Sequence, residues 1–328
     1  KGAQYILAYK PDIVFSTHFF CTSVALFARE KYHFQYKVIS YMADPFTGHN
    51  MWVNPNVDTI VAATQEAEQY LISQGQPRDR IKVMSFPLNL KFFAKVNKSR
   101  EEILNGLGLD PAKKTVLVSA GGQGIGDTEK YVRLLYEKGY PLNIIAVCAK
   151  NEALFKELSK LACKGSPTGI AVLGFVDNMH ELLEASDFGI TKAGPSTIFE
   201  HLVKKVPPII THNAGLQEKG NLEFCIRNRV GWYVTGEEEF LELVDRIMNT
   251  PVLEEYQANI QRNAFVQSLP QAPFELARFV VSELATRRKM RRSRKPVTLR
   301  KLVLGTRIGI RHRMLKYRKT RFRVNNQT

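Results

Sequence analysis

Residues 191–221 read TKAGPSTIFEHLVKKVPPIITHNAGLQEKGN. A strand ends near Thr191, Gly194-Pro195 opens a helix, and Pro207-Pro208 stops it. Pro195 suits the first helical position, because its missing N–H would have no intrahelical partner there. At 100° per residue, Ile198, Phe199, Leu202 and Val203 form an apolar arc, with Ser196, Thr197, Glu200 and His201 on the other side. A second strand covers residues 208–211, and a polar loop runs from 212 to 221. Free N–H groups and short hydroxyls at a helix start favour an anion such as phosphate. Glu200, one turn on, would repel phosphate but could accept hydrogen bonds from sugar hydroxyls. Phosphate beside a polyol is the chemistry of a nucleotide. Taken alone, the helix reads more simply as an ordinary capped helix.

The flanking sequence repeats the strand–helix alternation. Strands are expected at residues 12–16, 36–41, 59–63 and 81–84, then at 115–120, 142–149, 170–173, 188–191 and 231–234. Such alternation implies parallel sheets, whose ligands gather at the carboxyl ends of the strands. His18, Asp44 and His49 each follow such an end. The loop Gly121-Gly122-Gln123-Gly124-Ile125-Gly126 lies between a strand and a helix, where backbone can approach phosphate closely. Its spacing is neither GxGxxG nor a Walker loop, so a tight turn fits it equally well.

Four cysteines stand far apart without a CxxC pair, and seven histidines show no HExxH spacing; zinc and a disulfide framework are not indicated. Nothing approaches 18 consecutive apolar residues. The first residue is Lys1, and the domain at that end is expected to be incomplete. Charge is concentrated at the other end. Of 47 Lys and Arg, 17 lie in residues 286–328, which hold no Asp or Glu; the other 30 nearly balance 31 acidic residues. Leu299, Leu302, Val303, Leu304, Ile308 and Tyr317 interleave this tail. Apolar anchors in a polybasic segment suit an anionic membrane surface. RNA is the rival partner, disfavoured here, and a solvated tail is the plain alternative.

PDIVFSTH (11–18), ADPFTGHNMWVNPNVD (43–58), SAGGQGIG (119–126), GFVDNM (174–179), TKAGPSTIFE (191–200) and LQEKGN (216–221) occur in this order. In this the chain resembles glycosyltransferase family 28. It is most similar to the monogalactosyldiacylglycerol synthases and processive diacylglycerol glucosyltransferases, and more distantly to the lipid II-forming N-acetylglucosaminyltransferase. The resemblance implies an α/β GT-B fold, two Rossmann-like domains with parallel sheets facing a cleft. Residues 1–92 would form a partial acceptor-side domain and 93–250 the UDP-sugar domain. Residues 251–287 would be helices packing back on both, and 288–328 a basic tail.

The resemblance also implies an inverting transfer from UDP-glucose or UDP-galactose to diacylglycerol or a related lipid, without metal or cofactor. The protein would be cytoplasmic and peripheral on the inner face of the cell membrane. Phe175 and Val176 would frame the uracil, and Glu200 would bind the ribose. Gly194, Ser196, Thr197 and Gly122, Gln123 and Gly124 would hold the diphosphate. Gln217 and Glu218 would bind the donor sugar, with Asn221 supporting their loop, and His49 and Trp52 would lie on the acceptor side. The family's usual base is a His in a glycine-rich loop nearer the N-terminus than the residues present here; either the chain is a fragment or another residue has taken the role, with Asp44 and His18 as the candidates. A non-catalytic UDP-binding or RNA-associated protein, and a UDP-sugar epimerase on the same scaffold, are the alternative readings.

Overall fold

The computed structural model describes residues 2–119, 128–161, 166–212 and 215–285. The expected phosphate loop with Gly122, Gln123 and Gly124, and the basic tail, lie outside them. The chain divides into Lys1–Arg287 and Arg288–Thr328.

Two parallel sheets organise it. β1 (Ile13–Ser16), β2 (Lys37–Tyr41), β3 (Thr59–Ala62) and β4 (Ile81–Val83) pair in chain order. The second sheet contains β5 (Lys114–Ser119), β6 (Leu142–Val147), β7 (Gly169–Leu173), β8 (Phe188–Lys192), β9 (Pro208–His212) and β10 (Trp232–Tyr233). Its spatial order is β10-β9-β8-β5-β6-β7, so the chain winds outward from β5 to β7, crosses back to β8 and winds out to β10. The strand order reverses between β5 and β8, which pair side by side. In a doubly wound sheet the ligand crevice lies outside the carboxyl ends at this point. Val116, Leu117, Val118, Ile144, Ile145 and Ala146 are all buried, because a parallel sheet covered by helices must be apolar on both faces.

One aromatic cluster joins the parts. Phe46 follows β2, Phe86 follows β4, Phe199 and Phe224 lie on helices Pro195–Val203 and Leu216–Asn228, and Phe265 lies on helix Ala264–Ser268. Phe46 stacks on Phe224 at 4.9 Å and meets Phe265 at 5.8 Å; Phe86 meets Phe199 at 5.2 Å. Each buried ring contributes about 2–3 kcal/mol, so the cluster fixes the loop after β2 against these helices. Helix Ala272–Ala285 returns to the first sheet, where Lys37 Nζ pairs with Glu283 at 2.8 Å and Lys82 Nζ lies 4.4 Å above the Phe279 ring.

Two local expectations change. LQEKGN is not loop but the start of helix Leu216–Asn228. Gly215, at φ 127°, makes the break before it. Gly220 then sits inside the helix because a Cβ there would stand 2.7 Å from Phe46 Cβ and 3.0 Å from Thr47 Oγ1. His201 does not share the exposed side of its helix. It is buried over Gly189, where a Cβ would stand 2.4 Å from the imidazole, and its Nδ1 bonds Thr197 O at 2.7 Å. Burial pushes its pKa down to about 4, so the ring is neutral at ordinary pH.

Candidate functional site

Gly194, Ser196, Thr197 and Glu200 follow β8 directly, at the β5–β8 crevice. Helix Pro195–Val203 begins just beyond β8, with Gly194 as an N-cap that has no side chain to satisfy the first N–H groups. Those groups carry the positive end of the helix dipole. Ser196 is exposed and Thr197 half-buried. Asn221 is buried and donates from Nδ2 to Ala193 O at 2.9 Å, which ties the second helix to the turn. Ser119 Oγ, Thr191 Oγ1 and Asn221 Oδ1 are buried without a hydrogen-bond partner among the described residues. Each such atom costs about 1–3 kcal/mol, a penalty a polar ligand would remove.

Glu200 lies one turn into the helix, half-buried. Burial pushes its carboxyl up to about 7, with no neighbour offsetting the loss of water. It is poised to gain from any hydroxyl that donates to it. Lys192, the last residue of β8, places Nζ 3.4 Å from Glu218 Oε1. The pair brackets Gly194, where a Cβ would stand 3.4 Å from Lys192 Cε and 3.7 Å from Glu218 Oε1. Gln217, on the same first turn as Glu218, is exposed. Phe175 is 67% exposed beyond β7 with Lys150 Nζ 6.0 Å from its ring, while Val176 packs on the core.

Across from these residues stands the loop after β2. Trp52 is buried and donates from Nε1 to Asp44 Oδ2 at 2.7 Å. Gly48 permits this packing, since a Cβ there would stand 3.1 Å from the indole and 3.3 Å from Asp44 Oδ2. Burial holds the Asp44 carboxyl above the usual carboxylate range; the Trp52 hydrogen bond opposes the rise, the Glu218 charge adds to it, and His49 and His18 oppose it. Asp44 thus senses charges from both halves of the molecule.

His18 and His49 each cap a helix. His18 Nδ1 accepts from Phe20 N–H at 3.2 Å, and His49 Nδ1 accepts from Met51 N–H at 3.1 Å. A neutral imidazole so engaged carries its proton on Nε2. Phe19 bridges the two histidines, 4.4 Å from His18 and 5.8 Å from His49, and meets Trp52 edge-on at 5.4 Å. The structure therefore groups Asp44, His18, His49 and Trp52 in one cluster, and Gly194, Ser196, Thr197, Glu200, Glu218 and Asn221 in a second. Lys192, Ser119 and Thr191 are the residues that sequence reading missed. Their signal was position, at the ends of the two strands flanking the switch point.

Residues 3–88 match the model of the monogalactosyldiacylglycerol synthase family, and residues 115–247 match that of the glycosyltransferase family 28 C-terminal domain. The chain belongs to glycosyltransferase family 28. It is 28% identical over 283 residues to a probable chloroplastic monogalactosyldiacylglycerol synthase of Glycine max, covering 84% of this chain and 52% of that protein. It is 29% identical over 250 residues to a processive diacylglycerol beta-glucosyltransferase of Staphylococcus epidermidis, covering 76% and 62%. The chain spans about half the length of the plant relatives it matches. Among solved structures, MurG of Acinetobacter baumannii superposes with a TM-score of 0.63 at 16% identity, covering 86% of this chain and 76% of that one. Anabaena HepE, solved in complex with UDP-glucose, gives 0.56 at 14%, covering 84% and 82%. At such identities the likeness speaks for the fold, which is GT-B.

Proposed function

We propose that this family 28 glycosyltransferase moves a hexose from UDP-glucose or UDP-galactose to diacylglycerol or a related lipid, with inversion and without metal. The observation that carries the reading is Glu200. It is a desolvated carboxyl without a compensating neighbour, one turn beyond uncapped N–H groups at the switch point. Uncapped N–H groups suit diphosphate and a lone carboxylate suits ribose hydroxyls, which together describe a nucleoside diphosphate.

Inversion needs one base on the face opposite the departing UDP. Asp44 suits this role better than His18, whose Nδ1 lone pair already accepts a backbone N–H. Its carboxylate would take the acceptor hydroxyl proton as that oxygen attacks the anomeric carbon and UDP leaves. The raised pKa makes it a stronger base than an exposed Asp.

A lipid acceptor is supported by the surface next to Asp44. Phe20, Val24 and Phe27 follow i, i+4, i+7 spacing on helix Phe19–Lys31 and are exposed, as is Met51 beside His49. Phe20, 58% exposed, stacks on His18 at 5.5 Å. Among the described residues no helix is long and apolar enough to cross a membrane. Residence on the inner face of the cell membrane, with the basic tail on anionic lipid, is part of the proposal.

The test is to incubate the protein with each UDP-hexose and diacylglycerol vesicles and assay glycolipid. Product with a new anomeric linkage, formed in EDTA, is expected. Absence of transfer to any lipid by folded protein would refute the reading, and sugar isomerisation without acceptor would favour the epimerase. Deleting residues 288–328 should reduce flotation with anionic vesicles and leave UDP binding intact.

A further inference from the structure

Lys192 is a cation placed at the mouth of the donor crevice for which the reading so far has no use. It ends β8 where the pairing with β9 shifts register, Thr191 lying opposite Ile210 and Lys192 opposite His212. Such irregularities re-aim a side chain at a strand end. Its side chain is 33% exposed, its Nζ is held by Glu218 at 3.4 Å, and both side chains flank Gly194. Ser119 Oγ and Thr191 Oγ1, near the ends of β5 and β8, are buried without a partner among the described residues. Positive charge and uncapped N–H groups thus meet at one turn, with Glu218 beside them.

We infer that Lys192 binds the donor diphosphate, and that donor binding moves its ammonium from Glu218 to phosphate. The inference rests on the UDP-sugar reading and deepens it. When the bond from the anomeric carbon to the β-phosphate oxygen breaks, the electron pair stays on that oxygen and negative charge grows on UDP. A fixed ammonium stabilises that charge more in the transition state than in the bound donor. The same exchange releases the Glu218 carboxylate toward the hydroxyls of the sugar. An ion pair that is merely structural would make neither adjustment.

The experiment is calorimetric titration of the full chain with uridine, UDP and UDP-glucose. Lys192→Ala should weaken UDP binding at least tenfold and leave uridine binding within twofold; Lys192→Arg, which keeps the charge, should recover most of the loss. Glu218→Gln frees the ammonium, so UDP should bind severalfold tighter while UDP-glucose gains nothing. Unchanged UDP affinity in Lys192→Ala, or uridine and UDP affinities falling together in a folded variant, would overturn the inference alone. If the unmodified protein binds neither uridine nor UDP, the donor reading falls and the inference with it.

Discussion

Gly220 and Phe46 are in contact so close that a Cβ at position 220 would stand 2.7 Å from the Phe46 Cβ. The contact joins the helix carrying Glu218 to the loop carrying Asp44, and so sets the spacing between the two halves of the site. It also explains a glycine inside a helix, which costs about 1 kcal/mol relative to alanine.

Gly220→Ala tests that relationship. The helical gain of about 1 kcal/mol should be outweighed by overpacking, which costs about 1–3 kcal/mol against backbone and Cβ atoms that cannot rotate away. A net loss of about 1 kcal/mol in urea unfolding is expected. Gly106→Ala, at a helical position with nothing within 4 Å, should instead stabilise the protein. Equal effects of the two substitutions would show that the contact does not constrain the fold.

Glu200 should be a liability in the empty protein. Its carboxyl titrates near 7 when folded and near 4.5 when unfolded. The folded state therefore retains the proton longer, and the resulting stability is full below about 4.5 and lost as pH rises to 7. Glu200→Gln should stabilise the ligand-free protein at pH 8 by about 2 kcal/mol, a value reduced from the full linkage figure for residual exposure. It should also flatten the pH dependence of unfolding between 5 and 7. Lower stability of the variant at pH 8 would mean that the carboxylate is satisfied within the fold.

Much of this site was legible in sequence and some was not, for identifiable reasons. Thr197, Glu200 and the apolar arc follow a helical period that the fold obeys. His201 follows the same period but is drawn inward, because Gly189, on the neighbouring strand, leaves room for an imidazole. Helical periodicity cannot register a vacancy twelve residues away in the chain. LQEKGN reads as loop because glycine weakens a helix, and the compensating contact with Phe46 is tertiary. Lys192 looked like an ordinary strand end, since its partner Glu218 comes 26 residues later. The alternation that implied parallel sheets is local, whereas the order β10-β9-β8-β5-β6-β7 is tertiary; right-handed connections narrow the possible orders without selecting this one.

Asp44 should report on both halves of the molecule. Glu218→Gln removes a like charge and should lower the Asp44 pKa; Trp52→Phe removes a hydrogen-bond donor and should raise it. Carboxyl carbon NMR titration of each variant measures both shifts without requiring turnover. Shifts of the same sign would contradict the placement of Glu218 near Asp44.

The account stands on a nucleotide site at the β5–β8 crevice. The most direct measurement is calorimetric titration of UDP into the full chain and into Glu200→Ala. Saturable binding by the former, weakened at least tenfold in a folded Glu200→Ala variant, is the expected result. Equal UDP affinity in both proteins, or no binding by either, would contradict it.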